Sequence, residues 1–183
     1  MPDDGIERLE PPQRLDGPVH LADPDPAWAI AGAEQVALVA AALGGLGLLV
    51  EHVGSTSVPG LPAKPILDLV VEVADPRDED AYVPALAEAG YRLVHREPGW
   101  HDHRLLKRPE PSVNLHVFGR GSPETRRMVV FRDTLRADPA ERDRYAAAKQ
   151  ELAARTWAHV QDYADAKSDV VEGILRRAGA PPR

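Results

Sequence analysis

The stretch Glu51–Val73, EHVGSTSVPGLPAKPILDLVVEV, constrains the fold more than any other part of this sequence. Leu46–Val53 reads as an apolar strand entering the turn Gly54-Ser55-Thr56-Ser57, and Pro65–Val73 reads as a second strand. Pro59, Pro62 and Pro65 keep the connection from becoming a long helix, since proline lacks the N–H and crowds the preceding turn. Strands joined this closely are expected as neighbours in one sheet. Gly54 permits a sharp turn and close backbone approach to a ligand. Ser55, Thr56 and Ser57 offer hydroxyls and successive N–H donors, a concavity suited to phosphate. Asp68 opens the second strand and offers a carboxylate to the Mg²⁺ that accompanies a nucleoside triphosphate. The plainer reading is an ordinary Ser/Thr-rich loop, with Asp68 bonded to the turn beside it.

The rest of the chain alternates helix and strand signals. Residues 1–18, acidic and Pro-rich, are expected as a flexible tail, and residues 19–183 as a single domain. Asp25-Pro26 starts a helix carrying Trp28, Gly32, Val36, Val39 and Leu43 on one stripe, and Gly44-Gly45 ends it. Helix is expected again over 78–89, closed by Gly90, then a short strand at 91–95. His103–Lys107 and Ser112–Phe118 form a hairpin. Ser122-Pro123 and Asp138-Pro139 open two further helices, and one last helix is expected over Trp157–Arg177. This order defines an α+β protein: a mixed sheet backed by helices, with a C-terminal helical section.

Several motifs recur in a fixed order. They are HVGSTSVPGL-x-AKPI-x-DL, Asp25-Pro26-x-Trp28, Gly90-Tyr91, Asn114-Leu115-His116-Val117, Phe131-Arg132-Asp133-x-Leu135-Arg136, Tyr145-x3-Lys149 and Tyr163-x3-Lys167. Together they resemble the GrpB family from Val19 to Ala178. The resemblance implies the nucleotidyltransferase fold of DNA polymerase beta and the antibiotic nucleotidyltransferases. It also implies Mg²⁺-dependent transfer of a nucleoside monophosphate from a triphosphate to a small-molecule acceptor. Active enzymes of that fold place two carboxylates two residues apart on the strand; this chain has Asp68 but Val70. Glu72 shares the face but lies about 13 Å along the strand, too far to chelate the same ion. The alternative is therefore an inactive nucleotide-binding or accessory module, since fused relatives carry a domain of this type after a dephospho-coenzyme A kinase. With no GxxxxGK[ST] loop, this chain is not itself such a P-loop kinase.

Related nucleotidyltransferases bring a third metal ligand or base from a neighbouring strand. Asn114 and His116 are the polar groups offered there, His116 as proton acceptor or metal ligand, or as a satisfied core histidine. Asp68, Asn114 and His116 are thus the expected metal set, and Asp68 and His116 the catalytic pair. Gly54, Ser55, Thr56, Ser57, Lys64 and Arg132 are the expected phosphate contacts, with Arg104 and Lys107 completing a cationic wall or serving surface ion pairs. His52 orients the turn or enters the core, and His101-x-His103 reads as incidental. Tyr145/Lys149 and Tyr163/Lys167 meet on helix faces, for ligand or for packing.

Composition narrows the function classes. The net charge of −7 argues against nonspecific nucleic-acid binding. The absence of cysteine removes disulfides, thiolate metal sites and a Cys nucleophile. No apolar run is expected to reach the roughly 20 residues that span a bilayer, and the N-terminus reads as neither signal nor transit peptide. A cytoplasmic protein is the expectation.

Overall fold

The computed structural model describes residues 5–12 and 14–182. Helix α1 (Ala27–Leu43) begins where Pro26 sets the first turn and Asp25 Oδ1 accepts from the Ala27 N–H at 2.8 Å. It ends at Gly44, whose φ of 54° is left-handed. A 3₁₀ turn, Gly44–Leu46, follows and delays the next strand, so that strand covers Leu49–Val53 and not the whole of 46–53.

The strands of the main sheet are β1 (Glu7–Arg8), β3 (Leu49–Val53), β4 (Leu67–Val73), β5 (Arg92–Glu97), β6 (His103–Arg108) and β7 (Val113–Gly119). Their spatial order is β1-β5-β6-β7-β4-β3. Only β4 and β7 run parallel; the other neighbours are antiparallel. The parallel pairing follows from helix α2 (Glu79–Glu88), which carries the chain away from β4 before the β6–β7 hairpin returns it alongside.

Alternation along β4 assigns each face its role. Leu67, Leu69, Val71 and Val73 join Leu106, Val113, Leu115 and Val117 under Val39 and Leu43 of α1 and Tyr82 and Leu86 of α2. The opposite face carries Asp68, Val70 and Glu72. At one end of it Val53, Val70 and Phe118 pack under Met128 and Val129 of α3 (Pro123–Ala137), with Trp100 beside them. Around the Asp68 end stand α4 (Pro139–Ala153) and α6 (Ser168–Arg177). Phe131, Leu135, Tyr145, Ile174 and Leu175 clamp Val58 and Leu61 of the β3–β4 connector. Each such buried side chain contributes about 1.5–3 kcal/mol, so the C-terminal helices fix the turn in place.

Three expectations are corrected. The helix expected over Trp157–Arg177 is broken into β8 (Trp157–His159), a short helix α5 (Val160–Asp165) and α6. The cause is non-local: β8 pairs with β2 (Arg14–Gly17), a strand inside the segment expected as a tail. That segment also supplies β1, which adds to the edge of the main sheet at β5. Finally, Ala27–Leu46 forms a 20-residue apolar helical stretch of mean hydropathy 1.6, which does reach membrane-spanning length by composition. Here it packs against the sheet through Gly32, Val39 and Leu43.

Candidate functional site

The Gly54 turn is built around Asp68. At φ 69° Gly54 adopts a conformation that L side chains rarely take, and a Cβ there would stand 2.5 Å from Asp68 Oδ2. Ser55–Ser57 then form one 3₁₀ turn. Ser57 Oγ donates to the Gly54 carbonyl at 2.6 Å, and Thr56 Oγ1 donates to the Ile66 carbonyl at 3.3 Å. With its proton so used, Thr56 Oγ1 accepts from His52 Nε2 at 3.0 Å. Burial, with Arg136 and Arg132 nearby, pushes His52 down to about 4, so it is neutral and fixes the turn from below. Arg136 closes the turn from the other side, donating twice to the Ser57 carbonyl at 2.8 and 3.0 Å. The Thr56 and Ser57 hydroxyls are therefore structural, and the Ser57 N–H is also used within the turn, donating to the Gly54 carbonyl at 3.3 Å.

Asp68, Asn114 and His116 do come together. Asp68 pairs in register with Asn114, whose Nδ2 donates to Asp68 Oδ1 at 2.9 Å. His116 Nε2 stands 4.0 Å from the same oxygen. Although 32% of the Asp68 side chain is accessible, Gly54 and Asn114 press against its carboxylate. Burial raises its pKa, opposed by the Asn114 hydrogen bond and by Lys167, Lys64 and Lys107.

Behind His116 runs a hydrogen-bonded chain absent from the sequence reading. His116 Nδ1 lies 3.0 Å from His103 Nε2, and His103 Nδ1 contacts Glu97 Oε2. His95 Nε2 reaches that same oxygen at 3.3 Å. Burial alone would raise Glu97, but hydrogen bonds from His103 and His95 outweigh it and hold the carboxyl well below the usual range. A carboxylate only accepts, so His103 Nδ1 carries the proton. Burial keeps both His103 and His116 neutral, His116 down at about 3. Hence His103 Nε2 accepts from His116 Nδ1–H, and His116 Nε2 presents a lone pair toward Asp68.

Around Asp68 the charge is positive. The chain has only four lysines, Lys64, Lys107, Lys149 and Lys167, and all four interact electrostatically with Asp68. Every ion pair among the described residues uses arginine or histidine instead. Lys107 continues the row Asp68–Asn114 across the sheet. Lys149, 2% exposed, donates to Ser55 Oγ at 3.1 Å and to the Pro62 carbonyl, and lies 4.9 Å from the Tyr145 ring centre. Burial, with Lys167 beside it, pulls its pKa down to about 7. Lys64 and Lys167 stand 5.6 and 4.6 Å from the ring centre of Tyr163. The Tyr163 hydroxyl is buried with no protein hydrogen-bond partner among the described residues. The Tyr-x3-Lys repeats thus place two amines beside aromatic rings near Asp68 as well as packing the helices. The low lysine count was the sequence signal that could have found them.

Other expected contacts lie elsewhere. Arg132 pairs with Glu51 at 2.7 Å and donates to the His52 carbonyl at 3.0 Å, so it braces α3 against β3. Arg104 points to the α1/α2 face and pairs with Glu79 at 2.7 Å. His103 is 1% exposed and central to the relay, whereas His101 is exposed at the hairpin. Glu72 accepts from the Gly121 N–H at 2.9 Å. Val70, fully buried under α3, stands where a second carboxylate was sought.

This architecture is that of an α+β protein whose nucleotidyltransferase-like mixed sheet is backed by helices. The family model described as GrpB protein matches residues 18–177, and the chain belongs to the GrpB family. A UPF0157 protein of Halalkalibacterium halodurans is 49% identical over 162 residues, 88% of this chain and 83% of that one. The crystal structure of GrpB from Enterococcus faecalis superposes with a TM-score of 0.72 at 29% identity, covering 87% of this chain and 96% of that one. A dephospho-CoA kinase of Mycolicibacterium paratuberculosis is 31% identical over 188 residues, covering 88% of this chain and 46% of the kinase.

Proposed function

We propose that this chain binds a nucleoside triphosphate. On this reading the phosphates lie on the Gly54–Ser57 turn among the four lysines, and Asp68 faces the cation that travels with them. The placement of the lysines carries the reading: Lys149 donates to Ser55 Oγ, Lys64 and Lys167 flank the Tyr163 ring, and Lys107 continues the Asp68–Asn114 row. Four amines around one acid favour a multiply charged anion over a second cation. The partnerless Tyr163 hydroxyl offers a further donor. A cleft of about 240 Å³ between the C-terminal helices shares Tyr145 and Lys167 with this cluster and gives room for the rest of the ligand.

Mg²⁺ fits only in part. Asp68 is the one carboxylate, and imidazole suits softer ions than Mg²⁺. One Mg²⁺ held by Asp68 and by the ligand's own phosphates is compatible with this donor set; a protein-held pair is not. Bound so, the ion would neutralise phosphate charge.

Nucleotidyl transfer to a small-molecule acceptor is the second reading, favoured by the buried Lys149 amine standing 3.1 Å from Ser55 Oγ. His116, held at about 3, is too weak a base to collect the acceptor's proton at neutral pH. Lys149, at about 7, is better matched to that task. The kinase relative's name does not transfer, because this chain lacks the P-loop sequence. A triphosphate ligand places the protein in the cytoplasm.

Calorimetry with ATP, GTP, CTP and UTP, with and without Mg²⁺, tests the proposal. Saturable binding that is lost in Lys149→Met and Lys167→Met supports it. Heats for the wild type no larger than those of the double variant overturn it. Product formation from a bound triphosphate separates transferase from module.

A further inference from the structure

We propose a second cation site, formed by His95 Nε2, Glu97 Oε2 and His103 Nδ1, that takes a transition-metal ion of the Zn²⁺ class. It does not rest on the nucleotide reading.

The three ligand atoms come from β5 and from the first residue of β6, and all lie within 4.8 Å of one another. His95 and Glu97 sit two apart on β5 and so share a face, while the antiparallel register sets Glu97 opposite His103. Donors about 2.0–2.2 Å from a tetrahedral ion stand roughly 3.3 Å apart. His95 Nε2 and Glu97 Oε2 already have that separation, 3.3 Å, while Glu97 Oε2 and His103 Nδ1 are in direct hydrogen-bond contact and must open to admit the ion. Two imidazoles and one carboxylate suit Zn²⁺ or its neighbours, and suit Mg²⁺ poorly. Exposure is graded: the His103 side chain is 2% accessible, Glu97 18% and His95 25%. The site is thus anchored inside and open on one side, where water or another ligand completes the shell.

Its surroundings match those of a metal centre. Trp100 and Phe118 wall in the His103 ring, with centroids 4.7 Å away in each case. His103 Nε2 is held by His116 Nδ1 at 3.0 Å, the kind of outer contact that orients a ligating imidazole.

Occupancy would reverse the relay. Without a cation, His103 Nδ1–H points to Glu97 and the His116 lone pair faces Asp68. A cation on His103 Nδ1 moves that ring's proton to Nε2, which donates to His116 Nδ1. The His116 proton then sits on Nε2, facing Asp68 Oδ1 as a donor. The second site thereby sets whether His116 faces Asp68 with a lone pair or with an N–H donor.

The test uses untagged protein, dialysed against chelator and titrated with Co²⁺, then Zn²⁺. One equivalent of Co²⁺ with visible absorption of a tetrahedral ion, displaced by Zn²⁺, is expected. His95→Ala and Glu97→Gln should each weaken binding more than about tenfold, while Asp68→Asn, which removes no ligand of this site, retains it. Both substitutions are at part-exposed positions, and circular dichroism checks that each variant folds; if Glu97→Gln does not, His95→Ala decides alone. Imidazole ¹⁵N shifts should move the His116 proton from Nδ1 to Nε2 on adding Zn²⁺. No Co²⁺ uptake, uptake indifferent to His95→Ala, or uptake abolished by Asp68→Asn each overturns the proposal.

Discussion

Gly54 and Asp68 occupy one space: the carboxylate fills the volume that a side chain at position 54 would need, with Oδ2 2.5 Å from where the Cβ would be. The backbone of the turn therefore approaches Asp68 closely, and the turn and the acid are presented together. Gly54→Ala should both strain the left-handed backbone and push Asp68 aside. The expected loss is about 1–3 kcal/mol of stability, read by urea unfolding, together with loss of nucleotide binding. A variant that binds as the wild type does would show that the close approach is unnecessary.

The pKa of Lys149 gives a pH signature. Its amine is near 7 when folded against 10.5 for the free group. Between those values the unfolded chain binds the extra proton, so stability rises with pH across that window. Below about pH 7 the charged, buried amine exerts its full penalty. Lys149→Met should flatten the rise, as measured by thermal unfolding from pH 6.5 to 10. Phosphate binding should draw a proton onto the amine above pH 7, and calorimetry in two buffers of different ionisation enthalpy should detect the uptake.

Asp68 carries the opposite sign of compromise. Burial raises its folded pKa, so its unfavourable contribution is absent below the unfolded value of 3.8 and complete above the folded one. Asp68→Asn should be at least as stable as wild type at pH 7, because the amide keeps an oxygen for Asn114 and sheds the charge. Mg²⁺ should then no longer improve triphosphate binding, while binding without metal persists. A marked fall in melting temperature would contradict this account.

Val70→Asp tests whether a second carboxylate can be restored. The side chain is fully buried against Val53 and Phe118 beneath α3. An unpaired carboxylate there should cost several kcal/mol, and chemical denaturation should show a strongly destabilised protein rather than a gain of metal-dependent transfer.

Gly32 offers a remote handle on the turn. A Cβ there would lie 2.1 Å from His52 Nδ1, so Gly32→Ala should displace the ring that donates to Thr56. Weaker nucleotide binding is expected although residue 32 touches no ligand. Unchanged affinity would remove His52 from the group of positioning residues.

The legible part of the site was the local part. Gly54, Ser55 and Asp68 sit on one strand–turn–strand unit, so sequence order alone placed them together. Asn114 and His116 followed from the family resemblance. The bracing role of Arg132 was not legible because its partner, Glu51, is distant in sequence and adjacent only once α3 packs on β3. Trp157–His159 looked helical because nothing local reveals that Arg14–Gly17 pairs with it. The Glu97–His103–His116 relay needs the β5–β6 register, which no spacing rule supplies. Val70 was seen correctly as a missing acid, but its cover by α3 was not.

The division of labour between the two basic residue types has a practical consequence. Arginine, planar and permanently charged, makes the structural ion pairs, while lysine, whose charge shifts on burial, is reserved for one place. The side-chain amines of this protein are therefore a single chemical address. An amine-acylating reagent, mapped by peptide mass at Lys64, Lys107 and Lys167, becomes a footprint of that place, and protection by a candidate molecule would identify an occupant without any assay of turnover.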